Sequence, residues 1–172
     1  NEKDQGNDDQ KKYWLPLALQ TKIIGTYAQT ELGHGTFIRG LETTSTFDVV
    51  KDEFIIHSPS ITSTKWWPGG LGKTATHVIV MAQLFINKNN YGPHPFIVQI
   101  RDLNNHQPLK GIKVGDIGNK LGYNAVDNGF LKFDHVRIPR NNMLMKYSKV
   151  SRDGTYYSSK IAKVSYGTMV FV

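Results

Sequence analysis

The chain has 172 residues, 39% of them hydrophobic and 11% aromatic, which suits one soluble domain with one core, and it carries a formal charge of +7. It has no cysteine, which excludes disulfides, thiolate metal sites and cysteine nucleophiles. The longest apolar stretch, His77 to Ile86, is interrupted by Gln83 and falls far short of the roughly 20 residues a membrane helix needs; no secretory signal pattern opens the chain.

The first residues, Asn1 to Gln10, contain nothing apolar to bury and do not start with Met, so they are expected to be a disordered tail or a remnant of a longer chain. From Lys11 to Gln20 the positions Tyr13, Trp14, Leu17 and Ala18 have helical spacing, with Pro16 limiting the element to a short piece. Beyond Lys22 the sequence turns β-like. Runs rich in Val, Ile, Phe and Thr cover Lys22 to Gln29, Thr43 to Val49, Glu53 to Ser58, Thr76 to Phe85, Pro95 to Arg101 and Gly129 to Val136. Val50-Lys51-Asp52 predicts a hairpin turn, Asn87 to Gly92 a longer one, and Arg152 to Thr155 another turn. Many short strands without alternating helices predict an all-β fold, a mainly antiparallel barrel or two-sheet sandwich and not a parallel α/β sheet. The final run, Tyr166 to Val172, stops inside an apolar stretch, as if an element continued beyond it.

The positive charge suits anionic ligands of several kinds. Its basic residues are dispersed, with only Lys11 and Lys12 adjacent, and no nucleic-acid motif is present, so no nucleic-acid partner is expected. Two loops are better placed for chemistry. Tyr27 to Thr36 runs from a strand into a segment with Gly33 and Gly35, which either makes a tight turn or offers backbone N–H groups to a ligand. Lys65 to Thr74 joins two tryptophans to Gly69, Gly70 and Gly72; Trp67 stands where a phosphate-binding P-loop needs glycine, which excludes that motif. The paired tryptophans fit core filling, an interface or a wall for a flat ring. The six histidines show no metal-ligand spacing and no catalytic companion, and no sequence pattern pairs Glu31, Asp116, Asp127 or Asp134 for acid–base work. No metal is expected.

In order along the chain, Ala28-Gln-Thr-Glu-Leu-Gly-His-Gly-Thr36, Arg39-Gly-Leu-Glu-Thr-Thr44, Lys65-Trp-Trp-Pro-Gly-Gly-Leu-Gly-Lys73, Gly115-Asp-Ile-Gly118, Asp127-Asn-Gly129 and Arg137-Ile-Pro-Arg-Asn-Asn-Met-Leu-Met145 resemble the peroxisomal acyl-CoA oxidases, a branch of the acyl-CoA dehydrogenase superfamily. Leu32 in place of a proline, and Pro68-Gly69 in place of Ile-Thr, match the oxidase branch and not the generic dehydrogenases. The resemblance implies the middle β domain of that family: a tail over 1–10, the end of an N-terminal helical domain over 11–21, a β-barrel facing FAD and acyl-CoA over 22–150, and a linker over 151–172 toward a further helical domain. It implies flavin contact by Thr30, Gly69 and Trp67, with Tyr27 and Gln29 flanking, and a position near the acyl-CoA for Thr36. It further implies FAD as cofactor, a fatty acyl-CoA and molecular oxygen as reactants, a homodimer in the intact enzyme and a peroxisomal location. The base that takes the α proton belongs, by the same resemblance, to the C-terminal helical domain, so no catalytic residue is expected in this chain, and Glu31 is not that base. The competing expectations are an acyl-CoA- or protein-binding β module without flavin chemistry, and a basic nucleic-acid-binding barrel.

Overall fold

In the helix at Asp8–Leu19, a polar capping arrangement outweighs the lack of apolar residues just before it. The structure, a computed structural model, describes residues 5–159; the run Tyr166 to Val172 lies outside them. Helix α1, Asp8–Leu19, starts inside the stretch expected to be a tail, because Asn7 and Gln10 form a reciprocal capping box. Gln10 is also buried, and its amide donates to Asn141 O and Met143 O and accepts from Met145 N, which ties the helix start to residues more than a hundred positions away. Pro16 lies inside α1 without ending it. It removes a single backbone donor near the C-terminus, while Trp14 holds the helix down against Ile23, Ile97 and Leu144.

The rest is built from strands: β1 (Gly25–Ala28), β2 (Thr44–Asp48), β3 (Glu53–His57), β4 (Lys65–Gly69), β5 (His77–Ile86), β6 (Asn89–Gln99), β7 (Ile112–Asp116), β8 (Asn128–Phe133), β9 (Val136–Pro139), β10 (Ser148–Val150) and β11 (Tyr156–Ser158). A mostly β fold in two main sheets is therefore what forms. Six strands make one sheet, with the path β1-β5-β2-β3-β9 and β6 on the other edge of β5; β4, β8 and β7 make a second; β10 and β11 form a hairpin. The expected hairpin at Val50 to Asp52 joins β2 to β3, and the turn at Arg152 to Thr155 joins β10 to β11.

The strands also depart from the sequence expectation: the longer turn expected at Asn87 to Gly92 is a two-residue one, Asn87 and Lys88, both at positive φ, because β6 already begins at Asn89. The large sheet is mixed, since β1 and β2 both run parallel to β5. Among the described residues the strand path does not close on itself, so the curved sheet is an open one and not a complete barrel. The run Gly129 to Val136 is two strands, β8 and β9, separated by a turn in which His135 takes a positive φ of 50°. Both main sheets face one core. Phe54, Ile56, Val80 and Leu84 from the large sheet meet Leu131 and Phe133 from the small one, all at 0% exposure, which removes enough apolar area to bind the layers together.

Candidate functional site

The parallel pairing of β1 and β2 to the same edge of β5 creates the feature that matters most. β1 leaves that edge where Ala28 faces Val80, and β2 rejoins it where Thr44 faces Gln83, only three positions further along β5. Residues 29–43 therefore form an excursion away from the sheet, and ladder pairing to β5 cannot fix its shape.

Strand β4 lies alongside the start of this excursion. The Thr26 hydroxyl donates to Gly69 O at 2.7 Å, Trp66 N–H donates to Thr30 O at 2.9 Å, and Glu31 makes an isolated antiparallel bridge with Lys65. Of the six residues singled out from the sequence, five thus sit on one seam: Tyr27, Gln29 and Thr30 on one side, Trp67 and Gly69 on the other. Thr36 lies further round the same excursion, exposed, in the turn where Ile38 N–H donates to Thr36 O. No hydrogen bond joins it to the other five among the described residues.

The seam presents groups suited to a flat polar ring. Tyr27 OH donates to the Gln29 side-chain oxygen at 2.7 Å, which orients that amide. Thr30 is half-buried, and neither its N–H nor its hydroxyl is taken up by another described residue. Above Gly69 there is open space, the nearest atom to an added Cβ being Asp127 O at 4.0 Å, so a ligand can approach the backbone there. Trp67 is 51% exposed and holds a φ of +86°, a conformation a tryptophan adopts only under external constraint. The constraint is visible: the β4–β8 register shifts between Trp66 and Gly69, and Asn128 Nδ2 donates to Trp67 O at 2.9 Å. Trp66 turns the other way and stacks on Phe130 at 6.2 Å, which makes it structural.

The glycine stretch after Gly69 is clamped from below. The buried Arg101 guanidinium donates to Ala75 O at 2.6 Å and to Gly72 O at 2.8 Å, and Asp127 accepts from Lys73 N–H at 2.9 Å. Gly72 and Gly129 allow the close approach this requires, because a Cβ on Gly129 would lie 2.5 Å from Gly72 N.

What sequence reasoning missed is a buried ion pair under the seam. Lys65 Nζ lies 3.0 Å from Glu31 Oε1, and both side chains are fully enclosed. Burial pushes the Lys65 ammonium down to about 8 against the opposing pull of Glu31. Burial acts to raise the Glu31 carboxyl, but Lys65, Glu42 N–H and Thr43 together outweigh it and hold the group below the usual carboxylate range. A lysine at the head of Lys65-Trp-Trp-Pro-Gly69, a run without strand alternation, gives no sign of burial, and the partners are 34 positions apart, so no local signal marks them.

The sequence also gave no sign that His57, Asp134 and His135 meet. Their ligand-capable atoms lie within 4.8 Å of one another, with the two imidazoles stacked at 3.9 Å. The His57 Nδ1 has no hydrogen bond, and Asp134 accepts from His135 at 2.7 Å. A cavity of 1120 Å³ lies beside α1 and not at the seam; Trp14, His77 and Asn142 line it, together with Asp134 and His135 of that cluster.

No family model matches the chain. Human peroxisomal acyl-coenzyme A oxidase 1 is 60% identical over 168 residues, covering 98% of this chain and 26% of that protein. The solved structure of Arabidopsis thaliana acyl-CoA oxidase 1 superposes with a TM-score of 0.94 at 57% identity, covering 99% of this chain and 26% of that one. Acyl-CoA oxidase-2 of Caenorhabditis elegans, solved bound with FAD, ascaroside-CoA and ATP, gives a TM-score of 0.95 at 51% identity over 98% of this chain and 26% of its own. The chain thus spans about a quarter of the length of the relatives it matches.

Proposed function

We infer that this chain, homologous along nearly its whole length to one segment of the peroxisomal acyl-CoA oxidases, is the flavin-facing β segment of an FAD-dependent acyl-CoA oxidase of the peroxisome. The observation that carries the reading is the seam itself. It brings the Thr30 donors, which no other described residue takes up, beside the open backbone at Gly69 and the half-exposed Trp67 of β4. FAD, which the C. elegans relative binds, would lie along this seam with Tyr27 and Gln29 at its margin. When bound, the flavin supplies the hydride acceptor for oxidation of a fatty acyl-CoA to its trans-2-enoyl-CoA, and oxygen then re-oxidises it with release of hydrogen peroxide.

The chain's own part is binding and electrostatics. Thr30 offers an N–H and a hydroxyl on one side, directed hydrogen bonds of the kind that stabilise negative charge developing on a reduced ring. Trp67 supplies a wall, and the approach to Gly69 is close because no side chain intervenes. Thr36, exposed on the outer part of the excursion, would meet the acyl-CoA on this reading. Glu31 takes no part in proton transfer, since its carboxylate is enclosed and each oxygen already accepts hydrogen bonds. The base that removes the α proton, and the second subunit of a homodimer, lie outside this segment on this reading.

The test is reduction of the full-length protein that carries the segment. Anaerobic addition of a fatty acyl-CoA should bleach the flavin bands, and air should restore them with formation of peroxide. A protein that binds acyl-CoA but no flavin would instead be a binding module.

A further inference from the structure

We propose that Lys65 is a positioning residue for the flavin: from inside the protein, its ammonium sets the spacing between the Thr30 loop and the Trp67–Gly69 loop. This rests on the flavin reading given above. The ladder to β5 skips residues 29–43; Gln83 of β5 holds their far end, its N–H donating to Thr43 O at 2.8 Å and its side chain to Arg39 O at 3.0 Å, and Lys65 supplies the link to β5 at the near end, beside Thr30. Its three donors go to three different anchors: Gln29 O at 3.0 Å, Glu31 Oε1 at 3.0 Å and Met81 O of β5 at 2.7 Å. Gln29 and Glu31 flank Thr30, so one ammonium grips the chain on both sides of that residue. Lys65 is itself two residues before Trp67. A shift of the ammonium therefore moves both loops relative to β5.

Glu31 completes the clamp by tying the far end of the excursion to its beginning. Its Oε2 accepts from Glu42 N–H at 2.8 Å, and its Oε1 accepts from Thr43 N–H at 2.9 Å and from the Thr43 hydroxyl at 2.6 Å. Lys65 is 0% exposed and Glu31 2% exposed, so neither touches a ligand on the seam. Two charges placed at this depth cost desolvation that an apolar pair would avoid, and a gain in specific geometry is the use such pairs are best known for. A lysine with three directed donors spans three acceptors that no apolar side chain could hold at fixed distances.

The experiment compares the full-length protein with Lys65→Met/Glu31→Met, which removes both charges and leaves neither unpaired. The readouts are thermal unfolding, FAD dissociation constant by quenching of flavin fluorescence, and the visible spectrum of the bound flavin. Phe133→Leu, in the core away from the excursion, serves as a control for general loss of stability. The expected result is a double variant that melts cooperatively but binds FAD roughly tenfold or more weakly, with its flavin spectrum displaced toward that of free FAD. The Phe133→Leu control keeps the parent affinity and spectrum. If the double variant does not fold, Thr43→Val, which removes one donor to Glu31, is read in the same way. Unchanged affinity and spectrum in the folded variant would overturn the positioning role alone, as would an equal change in the control. Absence of FAD binding by the parent protein would overturn the flavin reading, and this inference with it.

Discussion

Acid should weaken the fold through His77, at the start of β5. The ring is buried, 6% exposed, and packs edge-on against Trp14 of α1 at 5.6 Å, with its Nδ1 3.1 Å from the Thr76 hydroxyl. Burial pushes its pKa down to about 4, whereas an unfolded histidine titrates near 6.5. Protons therefore bind the unfolded chain first. The stability due to neutral His77 is fully present above about pH 6.5, declines as pH falls, and is gone below about pH 4. The size of that loss is on the order of 3 kcal/mol. Urea unfolding at pH 7, 5.5 and 4.5, followed by tryptophan fluorescence, should show this decline in the parent chain and a flatter one in His77→Phe, which keeps the aromatic contact and cannot be protonated. His94 is also buried and its pKa is also lowered by burial, so the variant keeps some acid sensitivity. Parallel stability profiles for parent and variant would refute the reasoning.

Other substitutions probe the seam. Gly129→Ala places a methyl group 2.5 Å from Gly72 N and 2.9 Å from Gly115 O, and a destabilisation of about 1–3 kcal/mol is expected, read as a lower urea midpoint at constant slope. Gly35→Ala, where the same methyl meets open space, should change stability by less than about 0.5 kcal/mol; equal effects of the two would contradict the packing. Because Trp67 holds a φ of +86°, Trp67→Gly should be more stable than Trp67→Ala by about 1 kcal/mol, the reverse of the usual order in a strand, and chemical denaturation of the pair checks it. Arg101→Met removes both bonds to the glycine stretch and should cost on the order of 3 kcal/mol, with faster amide exchange at residues 70–75 than in β5.

The parts of the fold visible in the sequence were those written in short-range pattern. β2, β3 and β5 show apolar enrichment bounded by turn residues, and Val50 to Asp52 closes its hairpin as those residues predict. β4 was invisible as a strand, because Lys65-Trp-Trp-Pro-Gly69 lacks alternation and contains a proline and a glycine. Its place is set by contacts with Thr26, Thr30 and Glu31, which are distant in sequence. β7, with two glycine or lysine positions in five, was missed for the same reason. The parallel contacts of β1 and β2 with β5 could not be read locally either, since strand order is a long-range property. The six site residues came from family resemblance, whereas pattern alone offered two glycine loops. The clamp beneath them escaped both routes. A buried Lys–Glu pair is recognisable only when the fold has brought Lys65 and Glu31 into the same dry space.

The central claim is that the seam between β1 and β4 holds a flavin, and the most direct test is the visible absorption spectrum of the full-length protein beside its Gly69→Val variant. A side chain in the open space over Gly69 should block close approach while leaving the core untouched. Bound-flavin bands are expected in the parent protein, together with a variant that folds but is purified with little or no flavin. A parent protein without flavin, or a Gly69→Val protein that retains it with an unchanged spectrum, would show that the seam does not hold a flavin.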